Sequence, residues 1–354
     1  MLDDARRIAA AGGLVIPIGD ARLDAMMEDV ARGLRGGSLP SAAVTDFLNE
    51  HHGIVEPAPR LNVASGPPGS DWDLRQLIAS QLPATLRSGK FARVGVGVDR
   101  ASSALTVVVG LQESHLAIEP VARRLPRGGR AVLSGTLTGG HRDARLIMTA
   151  PDGSVHEIPV RSDAARFHGV LECNRGDGRY QLEVGGHDRL GSVVLANFPV
   201  FCGVEPPLEP PRGSASAPRW NSLGTAAAER YMLDLVNRDR TRARLPPLAW
   251  DEKLAEVARA HSRDMADGGF VGHISPRTGN PADRVKRAGM ALQLVMENVA
   301  SVSVLEDAQD GFMRSPGHRA NIIDGRATRL GVGIVLAKED SGAAVYYVTQ
   351  LFGD

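Results

Sequence analysis

The two ends of this chain repeat one another. Met1-Leu2-Asp3 matches Met232-Leu233-Asp234, and Asp20-Ala21-Arg22-Leu23 matches Asp251-Glu252-Lys253-Leu254. In each half these motifs stand 19 residues apart (20 − 1 and 251 − 232). Asn62-Val63-Ala64-Ser65 then matches Asn298-Val299-Ala300-Ser301, and Val94-Gly95-Val96-Gly97-Val98 matches Leu330-Gly331-Val332-Gly333-Ile334, 33 residues further on in both halves (95 − 62 and 331 − 298). The apolar residues Leu23, Met26 and Leu34 fall on Leu254, Val257 and Met265. Chance supplies one such match, whereas four in order, with two intervals conserved, argue for an internal duplication. The offset moves from 231 to 236 between the first and last motifs, so the front copy is about five residues shorter in its middle. A chain built this way is held to one fold used twice.

Between the repeats, residues 114–204 read as all-β. Alternating runs such as Ala131–Leu137 and Arg179–Val184 are separated by the turn signals Pro151-Asp152-Gly153, Gly176-Asp177-Gly178 and Gly185-Gly186. Short strands at this spacing over about 90 residues predict an immunoglobulin-like sandwich. The two cysteines, Cys173 and Cys202, fall in predicted strands, where a cross-sheet disulfide and two buried free thiols both fit. A cysteine zinc site is excluded. The proline-dense stretch 205–222 is a predicted linker. With 354 residues the chain accommodates three domains, expected at 1–113, 114–204 and 223–354. Lys+Arg 41 against Asp+Glu 41, without a basic stripe, excludes nucleic acid as a partner. No apolar run approaches the ~18 residues of a membrane span. Nothing in the pattern speaks to oligomeric state.

The last segment is mixed α/β. Thr225 is a candidate N-cap for a helix with the stripe Ala228, Met232, Leu235 and Val236. Asp251 is a candidate N-cap for a second, with Leu254, Val257, Ala258, His261 and Met265 at helical spacing. A hairpin closes the chain, its turn spanning Lys338 to Gly342. Four stretches stand out: Phe270-Val-Gly-His-Ile-Ser-Pro, Glu297-Asn-Val-Ala, Ser315-Pro-Gly-His-Arg-Ala-Asn-Ile-Ile and Tyr347-Val-Thr-Gln-Leu-Phe-Gly.

Their order and spacing, over roughly 225–354, resemble the bacterial, cysteine-poor branch of the CAP superfamily of cysteine-rich secretory, antigen-five and pathogenesis-related proteins. The resemblance implies an α-β-α sandwich and a location outside the cytoplasm, extracellular or periplasmic. It also implies a cleft lined by two histidines and two glutamates, which binds zinc in some members. His273 matches the first histidine and Glu297 the first glutamate. The second glutamate's place falls near Ser315, and Tyr347 stands where the final-strand histidine would, so the set is incomplete and His318 is the candidate for the vacancy. Ser315, Tyr347 and Gln350 are expected to line the cleft, with simple β pairing the plain alternative for Thr349-Gln350. For an exported protein of this kind the even cysteine count favours the Cys173–Cys202 disulfide.

Two neutral imidazoles and one carboxylate are a familiar zinc set with one position open for water. That water would acidify toward neutrality and become a nucleophile. Without metal, a histidine beside a glutamate is a general base. Each residue also has a structural reading: His273 bonding its own loop, Glu297 capping a helix, His318 ending one. His261, on an apolar stripe, is predicted to be a core histidine. Asn298 and Asn321 are predicted to fix loop backbone.

Three functions are therefore open. One is an exported protein binding a metal ion, a cell-wall fragment or a lipid in the cleft. A second is a zinc-dependent hydrolase of peptide or cell-wall bonds, with His273, Glu297 and His318 catalytic and zinc on His273 and His318. A third is an adhesin-like rod. The front copy lacks the chemistry: Leu61 stands at Glu297, Leu82 at His318, Ser41 or a neighbour at His273, and His51-His52 align with neither histidine. This degenerate copy is expected to be structural or binding only. Met1 aligns with Met232, seven residues past Thr225, so the front helix is expected to begin upstream in a natural precursor that also carries an export segment.

Overall fold

The computed structural model describes residues 1–34, 39–163, 165–211, 224–338 and 344–354. Most of the predicted linker, 212–222, and the hairpin tip at 339–342 lie outside the described residues.

The N-terminal part runs α1 (Leu2–Ala11), β1 (Ile18–Gly19), α2 (Ala21–Gly33), α3 (Ala42–His51), β2 (Arg60–Gly66), α4 (Asp71–Arg87), β3 (Phe91–Arg100) and β4 (Leu105–Glu113). Its sheet has the order β1-β3-β4-β2. Leu23, Met26, Met27 and Val30 of α2 pack on one face of the sheet, α1 and α4 on the other. Nine strands follow: β5 (Leu116–Ile118), β6 (Arg124–Leu125), β7 (Arg130–Leu137), β8 (Arg142–Thr149), β9 (Val155–Ile158), β10 (Arg161–Asp163), β11 (Arg166–Glu172), β12 (Gly178–Asp188) and β13 (Gly191–Cys202). They form two sheets, β10-β11-β7-β5 and β6-β13-β12-β8-β9, which share one apolar core. A disulfide joins Cys173, just past β11, to Cys202 at the end of β13, with Cα atoms 5.8 Å apart. Gly185-Gly186, expected to be a turn, lies inside β12 at a register shift against β13. A glycine pair within a strand marks a bulge as readily as a turn. The reversal comes instead at Arg189-Leu190.

The C-terminal part runs α5 (Thr225–Arg242), β14 (Ala249–Trp250), α6 (Glu252–Gly268), α7 (Pro281–Arg287), β15 (Val295–Val302), α8 (Leu305–Arg314), α9 (Pro316–Ile322), β16 (Arg329–Lys338) and β17 (Ala344–Gly353). The sheet order is β14-β16-β17-β15, with α6 on one face and α5 and α8 on the other. Asp251 caps α6 by accepting from Leu254 N at 3.1 Å. Thr225 is not the cap of α5 but its first residue; the cap is Gly224, whose φ of 73° belongs to the left-handed region glycine favours. The buried Arg240 donates to the carbonyls of Ile322 and Asp324 and so pins the end of α9 to α5.

The first and last sheets correspond strand for strand. β1 pairs parallel with β3 as β14 does with β16, at Ile18↔Arg93 and Ala249↔Arg329. In both, the helix lies against a central strand over two glycines. A Cβ on Gly95 would come within 2.5 Å of Leu23 C, and one on Gly97 within 2.0 Å of Met27 C. The equivalent distances are 2.2 Å from Gly331 to Leu254 C and 2.1 Å from Gly333 to Arg259 N. The repeated Gly-Val-Gly is thus a pair of seats for a helix backbone, which no residue with a side chain allows.

Candidate functional site

The site is assembled around β15, an edge strand. Glu297 sits on it, 6% exposed. Its Oε1 accepts from His273 Nδ1 at 3.0 Å, and Arg284 Nη2 lies 2.6 Å from its Oε2. Burial alone would raise the pKa of Glu297, but His273 and Arg284 overcome it and hold the group below the usual carboxylate range. Arg284 is delivered by α7, whose start is set by a capping box between Asn280 and Asp283. The same guanidinium donates to His273 O at 3.0 Å and to Gly279 O at 2.7 Å, fixing the loop that carries His273.

His318 lies on α9, where Ser315 is the N-cap. Its Nδ1 is 2.8 Å from Ser315 Oγ, and its ring packs beside Phe312 with centroids 5.1 Å apart. Burial, with a smaller contribution from the nearby His273, lowers its pKa to about 3. His318 makes no hydrogen bond to His273 or Glu297; the structure joins His273 directly to Glu297 and holds His318 through Ser315.

Residues 233–352 match the family model described as the cysteine-rich secretory protein family, CAP. The C-terminal domain is a CAP domain. The chain is 35% identical over 130 residues to the uncharacterized protein YkwD of Bacillus subtilis, which covers 35% of this chain and 51% of that protein. It is 34% identical over 122 residues to the uncharacterized membrane protein YlbC of the same organism, covering 34% and 35%. The chain thus spans about half or less of the curated relatives it matches. Among solved structures, an extracellular protein containing an SCP domain from Bacillus anthracis is 23% identical, with coverage of 68% of this chain and 67% of that one and a TM-score of 0.34. Among the described residues no helix is long and apolar enough to cross a membrane.

Within the CAP domain, the other expected cleft residues divide. Ser315 is 4% exposed and touches His318. Tyr347 is half-buried on β17. Gln350 is fully buried, and its amide accepts from Asn298 at 3.0 Å and donates to Gln309 at 2.8 Å, so it belongs to an interior amide chain and not to an open wall. Thr349 is likewise fully buried, against Ser262 at 2.8 Å. Asn298 donates to His318 O, and Asn321 donates to Glu297 O and Asn298 Oδ1, holding α9 against the strand. His261 is 1% exposed and bonds Gly272 O at 2.9 Å, the core histidine expected from its stripe, although Glu297 Oε1 is only 3.8 Å away.

Two residues of the site escape a motif reading. Arg284 is one; its signal was the Asn-Pro-Ala-Asp helix start that aims the next residue inward. Glu183 of β12 is the other. Leu182 and Val184 point into the middle core, so period-2 alternation turns Glu183 to the outer face, where α9 lies. Ser315 Oγ donates to its Oε2, and Gly317 N lies 3.4 Å from the same oxygen.

The expected zinc trio can be tested against this geometry. Both oxygens of Glu297 are engaged, one by the Arg284 guanidinium, and a dication there would have to displace a cation. Glu297 therefore does not fit as a ligand. Each imidazole uses Nδ1 inside the protein, His273 toward Glu297 and His318 toward Ser315, the pattern in which a carboxylate or hydroxyl orients a histidine.

Proposed function

We propose that the chain is an exported protein whose CAP domain binds a ligand in the cleft between His273 and His318, with Glu297 orienting His273. The observation carrying this reading is the buried Glu297, held ionised by Arg284 and tied to His273 Nδ1. Placing a charge there is expensive unless it is paired, and the pairing here serves to aim one imidazole. A zinc-class cation is the ligand that two imidazoles tied at Nδ1 suit best, in preference to a lipid or a cell-wall fragment. His273 and His318 would hold it through Nε2, and the chemistry such an ion supplies is Lewis acidity. Export is supported by the Cys173–Cys202 disulfide, since such bonds persist in oxidising compartments.

On this reading the organisation is 1–113, 114–204, a linker at 205–222 and the CAP domain at 223–354, with the middle unit an immunoglobulin-like sandwich. The first unit is a degenerate CAP copy, supported by its strand order, its registers and its paired glycine seats. Calorimetric titration of the full chain with zinc tests the site. One equivalent should bind. Binding should be abolished by His273→Ala and by His318→Ala, and weakened about 10- to 100-fold by Glu297→Gln, the range for outer-shell partners. Equal affinity in all four proteins would refute it.

A further inference from the structure

The cleft is not built by the CAP domain alone. The β12–β13 hairpin of the middle unit flanks both histidines. At its turn, Leu190 O accepts from Ile274 N at 2.8 Å, one residue from His273. The backbones meet so closely that a Cβ on Gly272 would stand 2.6 Å from Leu190 Cβ, and one on Gly191 3.2 Å from His273 Cβ. Five residues back along β12 from Asp188, Glu183 reaches Ser315, which reaches His318.

The direction of these hydrogen bonds has a chemical consequence. Glu183 is 4% exposed, and its Oε2 receives both Ser315 Oγ and Gly317 N, so this oxygen is an acceptor. A serine hydroxyl has one proton. With that proton directed to Glu183, Ser315 Oγ can only accept from His318, so Nδ1 carries the hydrogen and Nε2 carries the lone pair. We propose that Glu183 is a positioning residue of the CAP cleft, acting across the domain interface through Ser315 to hold His318 in the Nδ1–H tautomer that presents Nε2 as an acceptor or metal ligand. The proposal rests on the reading of His318 as a ligand-binding residue for its purpose, but not for its geometry.

Long-range proton–nitrogen correlation of the histidine rings in the full chain, at neutral pH and without metal, reads the tautomer directly. Wild-type His318 should be Nδ1–H. Glu183→Gln should retain that state, because an amide oxygen still accepts from Ser315. Glu183→Met removes the acceptor, frees the Ser315 proton for Nδ1 and should move His318 to the Nε2–H form. A structural role alone would leave the tautomer unchanged in any folded variant. Nε2–H in the wild type, or Nδ1–H in folded Glu183→Met, would overturn the proposal. Should Glu183→Met fail to fold, the wild-type measurement decides. Because no metal is present, loss of zinc binding with the tautomers as expected would refute only the ligand reading.

Discussion

The first and last sheets of this protein place the same strands in the same order, yet among the described residues the histidine–glutamate–arginine cluster lies on the edge strand of the last one. At Asn62 and Asn298 the two edge strands run through the same local sequence, and each asparagine is buried. One residue earlier they part: Leu61 packs against the α2 cluster, whereas Glu297 binds Arg284 and His273. Leu82 of α4, which aligns with His318 in sequence, is fully buried in the core. His51 and His52 of the N-terminal part have partners of their own; His51 stacks on Phe47, and His52 bonds Asp29 at 2.8 Å. The same glycine seats and strand order thus occur with leucine at positions 61 and 82 and with a polar group at positions 297 and 318.

That division predicts unequal responses to matched changes. Glu297→Ala leaves the Arg284 charge buried without its partner and should cost about 3 to 5 kcal/mol. Leu61→Ala, at a half-buried position, should cost about 1 to 2 kcal/mol, below the range for full burial. Urea midpoints of the two variants separate them, and equal losses would break the comparison. The seats should behave alike: Gly97→Ala and Gly333→Ala each drive a methyl group into a helix backbone and should each lose about 1 to 3 kcal/mol, the range for overpacking, or more. Hydrogen exchange of β3 and β16 localises each loss, and tolerance at one seat alone would show that the two packings differ. A further effect is acid sensitivity. Folded His318 takes a proton only near pH 3, against 6.5 for the ordinary group. Its contribution to stability is therefore complete above about 6.5 and falls as pH drops toward 3, by about 2 kcal/mol at pH 5. Stability curves of wild type and His318→Leu, the residue type found at position 82, should converge by this amount between pH 7 and 5.

Much of this was legible from residues alone because it follows from period and spacing. The Asp251 cap and the core position of His261 are local or periodic signals, and the structure places them as read; the repeated Gly-Val-Gly was visible as a motif, but its role as a helix seat came only with the structure. The direct contact of His273 with Glu297 joins two quoted motifs. What stayed hidden depends on long-range placement. Arg284 carries no motif of its own and is recruited by the rotation of a short helix. Glu183 lies 132 residues before Ser315, on an outward-facing strand position that reads as solvent-exposed until a second domain covers it. Gln350 alternates correctly on its strand, but the amides of Asn298 and Gln309 hold it in the interior. Gly185-Gly186 misled because glycine serves both turns and bulges.

The central claim is that the chemistry of this protein is confined to one of two like-folded units. Zinc titrated into the full chain, followed on the ring signals of its 10 histidines, tests it most directly. The account predicts that His273 and His318 respond together and saturate at one equivalent, with His51 and His52 unmoved. A response at His51 and His52, or none at His273 and His318, would contradict it.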